Sequence, residues 1–148
     1  MNIVLDTSVV VSAIRSSAGA SAEIVRLIAL RRVDLLLDFK LVSEFRDVTQ
    51  RHHHVRASGR TAEEIERIVA MLEAVSTPVL VLQRHRPLSR DEDDDMVLDV
   101  AINGHADAIV TNNLRDFVSA ATQFGIPVLT PAAFLIAMRK GDFDHASQ

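Results

Sequence analysis

The sequence predicts an α/β fold: a parallel sheet of roughly five strands, covered by helices on both sides. Three observations lead there. Short apolar runs alternate with amphipathic stretches along the whole chain. The runs are apolar at successive positions, as strands buried on both faces must be. No internal repeat or low-complexity linker interrupts the 148 residues, so one domain over 1–140 is expected, with a loose tail over 141–148.

Each element follows from a local signal. Asn2 to Leu5 is an apolar run ending at Asp6, and reads as a buried strand. Thr7 and Ser8 can cap a helix that runs from about Val9 to Arg15. "SSAGAS" is a loop, and "AEIVRLIALRR" carries Ile24, Leu27 and Ile28 on one helical face. "VDLLLD" is the next strand. "KLVSEFRDVTQR" spaces Leu41, Val42, Phe45 and Val48 for a helix, and "RHHHVRASGR" reads as a polar connection. Thr61 and Glu64 form a capping box for "AEEIERIVAMLEAV". Pro78 opens a strand over "VLVL", and the basic loop "QRHRPLSR" leads into the acidic run Asp91 to Asp95. The helix begun there ends near Gly104. "DAIVT" is a strand, "LRDFVSAATQF" a helix closed by Gly125, and "IPVL" the last strand. Thr130 and Pro131 start a final helix to about Lys140.

Composition narrows the function. With 48% apolar residues the chain can build one substantial core. The absence of cysteine excludes disulfides and thiolate metal sites. The opening "MNIVLDTSVVVSAI" lacks a basic leader and is broken by Asp6, and no run is long enough to span a bilayer, so a soluble cytoplasmic protein is expected. A net charge of −4 argues against non-specific coating of DNA. It leaves room for an acidic pocket with a local basic rim. Trp and Tyr are absent, which weakens a base-stacking platform.

The acids gather where an open parallel sheet binds ligands, beyond the carboxyl ends of its strands. Asp6 ends the first strand. The run Asp91 to Asp95 opens a helix, and Thr111, Asn112, Asn113 and Asp116 follow "DAIVT". Glu44 sits among apolar Leu41, Val42, Phe45 and Val48, close to a core-facing stripe. Singly, each has an ordinary reading: Asp6 as a helix cap, the run as solvated helix-start charge, Glu44 as a surface residue. Together, carboxylates sharing a pocket call for a neutralising cation, and hard oxygen ligands suit Mg²⁺ or Mn²⁺. Two such ions roughly 4 Å apart would serve phosphodiester hydrolysis.

"NIVLDTSVVVSAI", "LVSEFRDVTQR", "SRDEDDDMVLDVAINGHADAIVT" and "TNNLRDF" resemble the successive motifs of PIN-domain ribonucleases, from Asn2 to about Ala137. The third segment is similar to a bacterial branch described as toxins of toxin–antitoxin pairs. The resemblance implies a three-layer α/β/α sandwich and endonucleolytic cleavage of RNA with Mg²⁺ or Mn²⁺. It places the first acid at Asp6, beside the hydroxyl of Thr7 or Ser8, and the second at Glu44. Counting back from Thr111 and matching Val97/Leu98 and Ala101/Ile102 places the third at Asp95. Members with a slightly different run favour Asp94. Where many relatives carry a fourth acid this chain has Asn113, and Asp116 can take its place as it does in others. The resemblance also implies an antitoxin that covers the acidic pocket, and a homodimer.

Arg84, Arg86 and Arg90, with His85, stand before the acidic run and are candidates for gripping RNA phosphates. Arg51, His52, His53, His54, Arg56 and Arg60 form a second basic cluster, read as a surface patch rather than a zinc site. Two other readings stand beside the nuclease. One is a receiver-like Mg²⁺-binding regulatory module, although "IPVLTPAAF" lacks the late-strand lysine of receivers. The other is a catalytically inactive PIN-like binding protein.

Overall fold

The computed structural model describes residues 1–82 and 92–141. Five parallel strands, β1 (Asn2–Leu5), β2 (Asp34–Leu37), β3 (Thr77–Pro78), β4 (Ala108–Val110) and β5 (Val128–Leu129), form a sheet ordered β3-β2-β1-β4-β5. The first strand is therefore the central one. Ile3 pairs with Leu35 on one side and Ala108 on the other, and Ile3, Val4 and Leu5 are fully buried. A strand flanked by two others and covered on both faces has no place for polar side chains, which explains its unbroken apolar run.

The helices are α1 (Thr7–Arg15), α2 (Ala20–Ala29), α3 (Phe39–Thr49), α4 (His52–Ser58), α5 (Ala62–Val75), α6 (Glu92–Asn103), α7 (Leu114–Gln123) and α8 (Pro131–Arg139). From β1 the chain steps to β2 and then β3, and afterwards returns to the other side of β1 for β4 and β5. Right-handed crossovers put helices from the two directions of travel on opposite faces. The contacts agree. α1 packs on α2 and α3, α2 on α5 and α8, and α3 on α5, while α6 packs on α7 and on β1, β2 and β4, and also meets α3. The fold is the expected α/β architecture with helices flanking a parallel sheet, and no helix of the described residues is long and apolar enough to cross a membrane.

Local signals set most of the boundaries. The Thr61 hydroxyl accepts from the Glu64 amide while the Glu64 carboxylate accepts from the Thr61 amide, the full capping box that starts α5. α2 stops before Arg31, which sits in left-handed backbone at φ 58°, so the helix is shorter than its apolar pattern. Two expectations need correction. "RHHHVRASGR" contains the short helix α4, whose Val55 packs against the core and whose end is closed by Gly59 at φ 70°. The strand expected over "VLVL" lies instead at Thr77–Pro78. The Val79 amide still bonds the Leu37 carbonyl at 2.8 Å, but Leu80 and Leu82 face outward at the sheet edge.

Candidate functional site

β1 and β4 are neighbours in space that leave the sheet in different directions, so a crevice opens beyond their carboxyl ends. Asp6 is the first residue past β1, and its amide extends the ladder by donating to the Val110 carbonyl at 2.9 Å. Thr111 is the first residue past β4, fully buried, with its amide held by the Leu129 carbonyl. The parallel register therefore brings these two side chains face to face.

The Asp6 carboxylate is 7% exposed and makes no capping hydrogen bond to α1. Its Oδ2 instead accepts from the hydroxyls of Ser8, at 2.6 Å, and Thr111, at 2.8 Å. Burial pushes its pKa above the ordinary aspartate value. The hydroxyls of Ser8 and Thr111 and the Thr7 amide pull it back, and the charge of Asp116 adds to the rise. Among the described residues no Lys, Arg or His forms a salt bridge with Asp6. A buried carboxylate near a second carboxylate, held by neutral donors, is poised for an external cation.

A short polar network continues from there. The Asn112 amide donates to Ser8 Oγ at 3.3 Å, and its Nδ2 donates to the Ser8 carbonyl at 3.3 Å and to Ser12 Oγ at 3.0 Å. The Asn113 amide donates to Thr111 Oγ1 at 2.9 Å, which leaves the threonine proton directed at Asp6. Asn113 precedes α7 and its side chain is exposed, as is Asp116 in the first turn of that helix. Thr7, by contrast, contributes through its amide.

The remaining acids come from two other helices. α6 runs back across the sheet, so its first turns lie at the carboxyl edge. Asp95 there is 3% exposed and Asp94 half-buried. Asp99, one turn further, is equally buried, and sequence reasoning missed it. Its signal was an acid inside the apolar run "MVLDVA", on the same face as Asp95 by the four-residue spacing. Glu44 is half-buried on α3, next to the buried Phe45 and Val42. Arg84, Arg86 and Arg90 lie outside the described residues. His52 and His53 are exposed, His54 is half-buried with its ring centre 4.0 Å from that of His53, and the patch stands apart from the acids, against α1 at its Arg15 end.

Among the described residues no three Asp, Glu or His side chains stand close enough to form a complete cage for a metal ion. The donor chemistry nevertheless suits a hard cation. Mg²⁺ is commonly held by one or two carboxylates and keeps several waters. Asp6, with Asp116 near enough to feel its charge, meets that requirement.

The model of one family, described as PIN domain, matches residues 2–115, well over half of the 148-residue chain and the span that holds Asp6, Glu44, Asp94, Asp95 and Thr111. No curated protein matches the chain.

Proposed function

Because the chain belongs to the PIN domain family, we propose that it is a metal-dependent endoribonuclease whose reaction centre is the Asp6 pocket. Family membership supports a nuclease, a hydrolase of phosphodiester bonds. The observation that carries the rest is the buried Asp6 carboxylate, held by Ser8 and Thr111 with no cationic side chain paired to it among the described residues.

In this reading Asp6 and Asp95 are the principal cation ligands, with Glu44, Asp94 and Asp116 as further acids that add negative charge. When bound, Mg²⁺ or Mn²⁺ supplies positive charge for the phosphate and lowers the pKa of water at the site. The chain's own groups do the positioning. Ser8 and Thr111 both donate to Oδ2 of Asp6 and so fix the orientation of the carboxylate. Asn113 fixes the Thr111 hydroxyl through its amide. Asn112 ties the start of α1 to the end of β4, holding the two halves of the crevice together.

RNA as substrate and the place of the protein as the toxin of a toxin–antitoxin pair belong to the same proposal, as do an inhibiting antitoxin, a homodimer and a cytoplasmic location. Partner binding is supported by Phe39, Leu80 and Leu82, which are 82%, 74% and 77% exposed. Large apolar side chains so exposed are what protein partners cover. The receiver-like alternative draws no support from the family match.

The test is cleavage of single-stranded RNA by the purified chain with Mg²⁺, with Mn²⁺ and with a chelator, beside Asp6→Asn. Cleavage that needs metal and disappears in Asp6→Asn is expected. Cutting that survives chelation, or that Asp6→Asn retains, would overturn the reading.

A further inference from the structure

We propose that the pocket where the amino ends of α2 and α8 meet is a phosphate subsite, which holds a phosphodiester of the polynucleotide strand lying at Asp6. The inference rests on the nuclease reading for the identity of the strand. Its geometry stands separately.

The pocket has a volume of about 280 Å³, and Ser12, Ser16, Ser21, Asn112, Thr130 and Ala132 contribute to its wall. At about 30 Å³ per water, it has room for a phosphate group and a few waters, not for a drug-sized ligand. Among the described residues, no acid, lysine or arginine lines it. Its donors are therefore neutral and fixed.

Two helices point their amino ends at this space. α2 has ten residues and starts after Gly19, which offers no side chain to cap it. The amides of Ala20 and Ser21 thus have no acceptor among the described residues. α8 has nine residues. Pro131 has no N–H, Thr130 Oγ1 takes the Ala133 amide, and the Ala132 amide has no acceptor among the described residues. Each helix end carries roughly half a positive charge, so the pair presents about one unit. That matches a phosphodiester, which carries a single negative charge.

A second observation is independent of the helix ends. Ser21 is 6% exposed, lines the pocket, and its hydroxyl has no hydrogen-bond partner among the described residues. With no protein acceptor, this hydroxyl is available to donate to a ligand oxygen in the pocket. Asn112 connects the two places. Its Nδ2 bonds Ser12 in the pocket wall, and its amide bonds Ser8, which in turn bonds Asp6 at 2.6 Å. The pocket thus lies two side chains from the carboxylate, on the same sheet edge.

The experiment follows backbone amide resonances of the ¹⁵N-labelled full chain during two titrations. One uses inorganic phosphate. The other uses a single-stranded oligoribonucleotide without terminal phosphates, on the Asp6→Asn chain so that the strand stays whole. Both probes are expected to shift the amides of Ala20, Ser21 and Ala132. Ala132→Asp places a carboxylate at an exposed position in the first turn of α8, where the helix end favours it, and competes with the ligand. It should weaken both probes about tenfold. Ser21→Ala, which suits a helix, should also weaken both. Unmoved amides, or affinities unchanged in Ala132→Asp, would overturn the subsite. Shifts with phosphate but not with the oligonucleotide would overturn the strand as its ligand. The nuclease reading fails separately, on the cleavage assay.

Discussion

Thr111 donates its hydroxyl proton to Oδ2 of Asp6 across 2.8 Å, and is itself held by the Asn113 amide at 2.9 Å. The threonine can orient the carboxylate because its own acceptor lone pair is already engaged. Thr111→Val keeps the shape and removes the donor. We expect it to cost about 1–3 kcal/mol of stability at neutral pH, measured by chemical denaturation. The Asp6 pKa should rise further, so the acid limb of the cleavage profile moves to higher pH. Thr111→Ser should restore both. An unchanged pH profile in Thr111→Val would separate the hydroxyl from the reaction.

Asp6→Asn is expected to lower cleavage by at least about a hundredfold, more than the loss of an outer partner of a metal ligand usually brings. The same substitution should raise stability by ~0.5–2 kcal/mol at neutral pH in the absence of metal, because it removes a buried charge. Thermal denaturation with a chelator checks this. A variant that loses both activity and stability would point to a structural role for Asp6.

The raised pKa of Asp6 fixes the sign of a pH effect. The folded state binds the Asp6 proton more tightly than the unfolded chain does. Its stabilising contribution is therefore fully present below the ordinary aspartate range and is lost as pH rises through the raised folded value. The stability gap between Asp6→Asn and the wild type should widen across that window. Cleavage runs the other way, since a protonated carboxyl cannot hold a cation. Both profiles can be measured on one protein preparation.

Arg46 joins α3 to α5 by reaching Glu66 at 2.9 Å and Glu73 at 2.8 Å. The pairing raises the Arg46 pKa and lowers that of Glu73, so the Glu73 contribution is lost as pH falls through its depressed folded value. Both glutamates are more than a third exposed, and solvent screens the pairs. Arg46→Met should cost only about 0.5–1 kcal/mol, less at high salt, with cleavage unaltered. A large loss of activity would mean that α3 places Glu44 through this clasp.

Gly104 ends α6 where a Cβ would meet Leu36 Cδ1 at 2.8 Å, Val79 Cγ2 at 2.9 Å and the Val100 carbonyl oxygen at 2.9 Å. The side chains can shift, but the carbonyl is backbone. Gly104→Ala should destabilise by ~1–3 kcal/mol, seen as a lower denaturation midpoint.

The sequence carried the architecture well where one residue type had one physical use. Strands buried on both faces left unbroken apolar runs, and Thr61 with Glu64 announced the start of α5. Asp6 stood out because an acid ending such a run is conspicuous. Its partner Thr111 was legible for the same reason. α4 was not, because five of its seven residues are polar or basic, and Val55 and Ala57 alone leave no periodicity. "VLVL" misled because β-branched residues suit a strand, yet Pro78 and the sheet edge left them outside the ladder. Asp99 left only the faint signal of an acid inside an apolar run, and Ser21 left none, since nothing in a linear pattern tells an inward serine from an outward one on a mixed helix face. The spacing of the acids in three dimensions belongs to the packing of α3 and α6 and had no counterpart in the string.

The strand order has a consequence for synthesis. The polypeptide emerges from its amino end, so the middle strand of the sheet is made first and waits beside β2 with one flank bare until Ala108–Val110 arrives. Half of the crevice is thus missing until β4 is made. A nascent chain that has not yet reached Thr111 carries Asp6 with only the Ser8 hydroxyl beside it, so the two-sided grip on the carboxylate forms only when β4 docks.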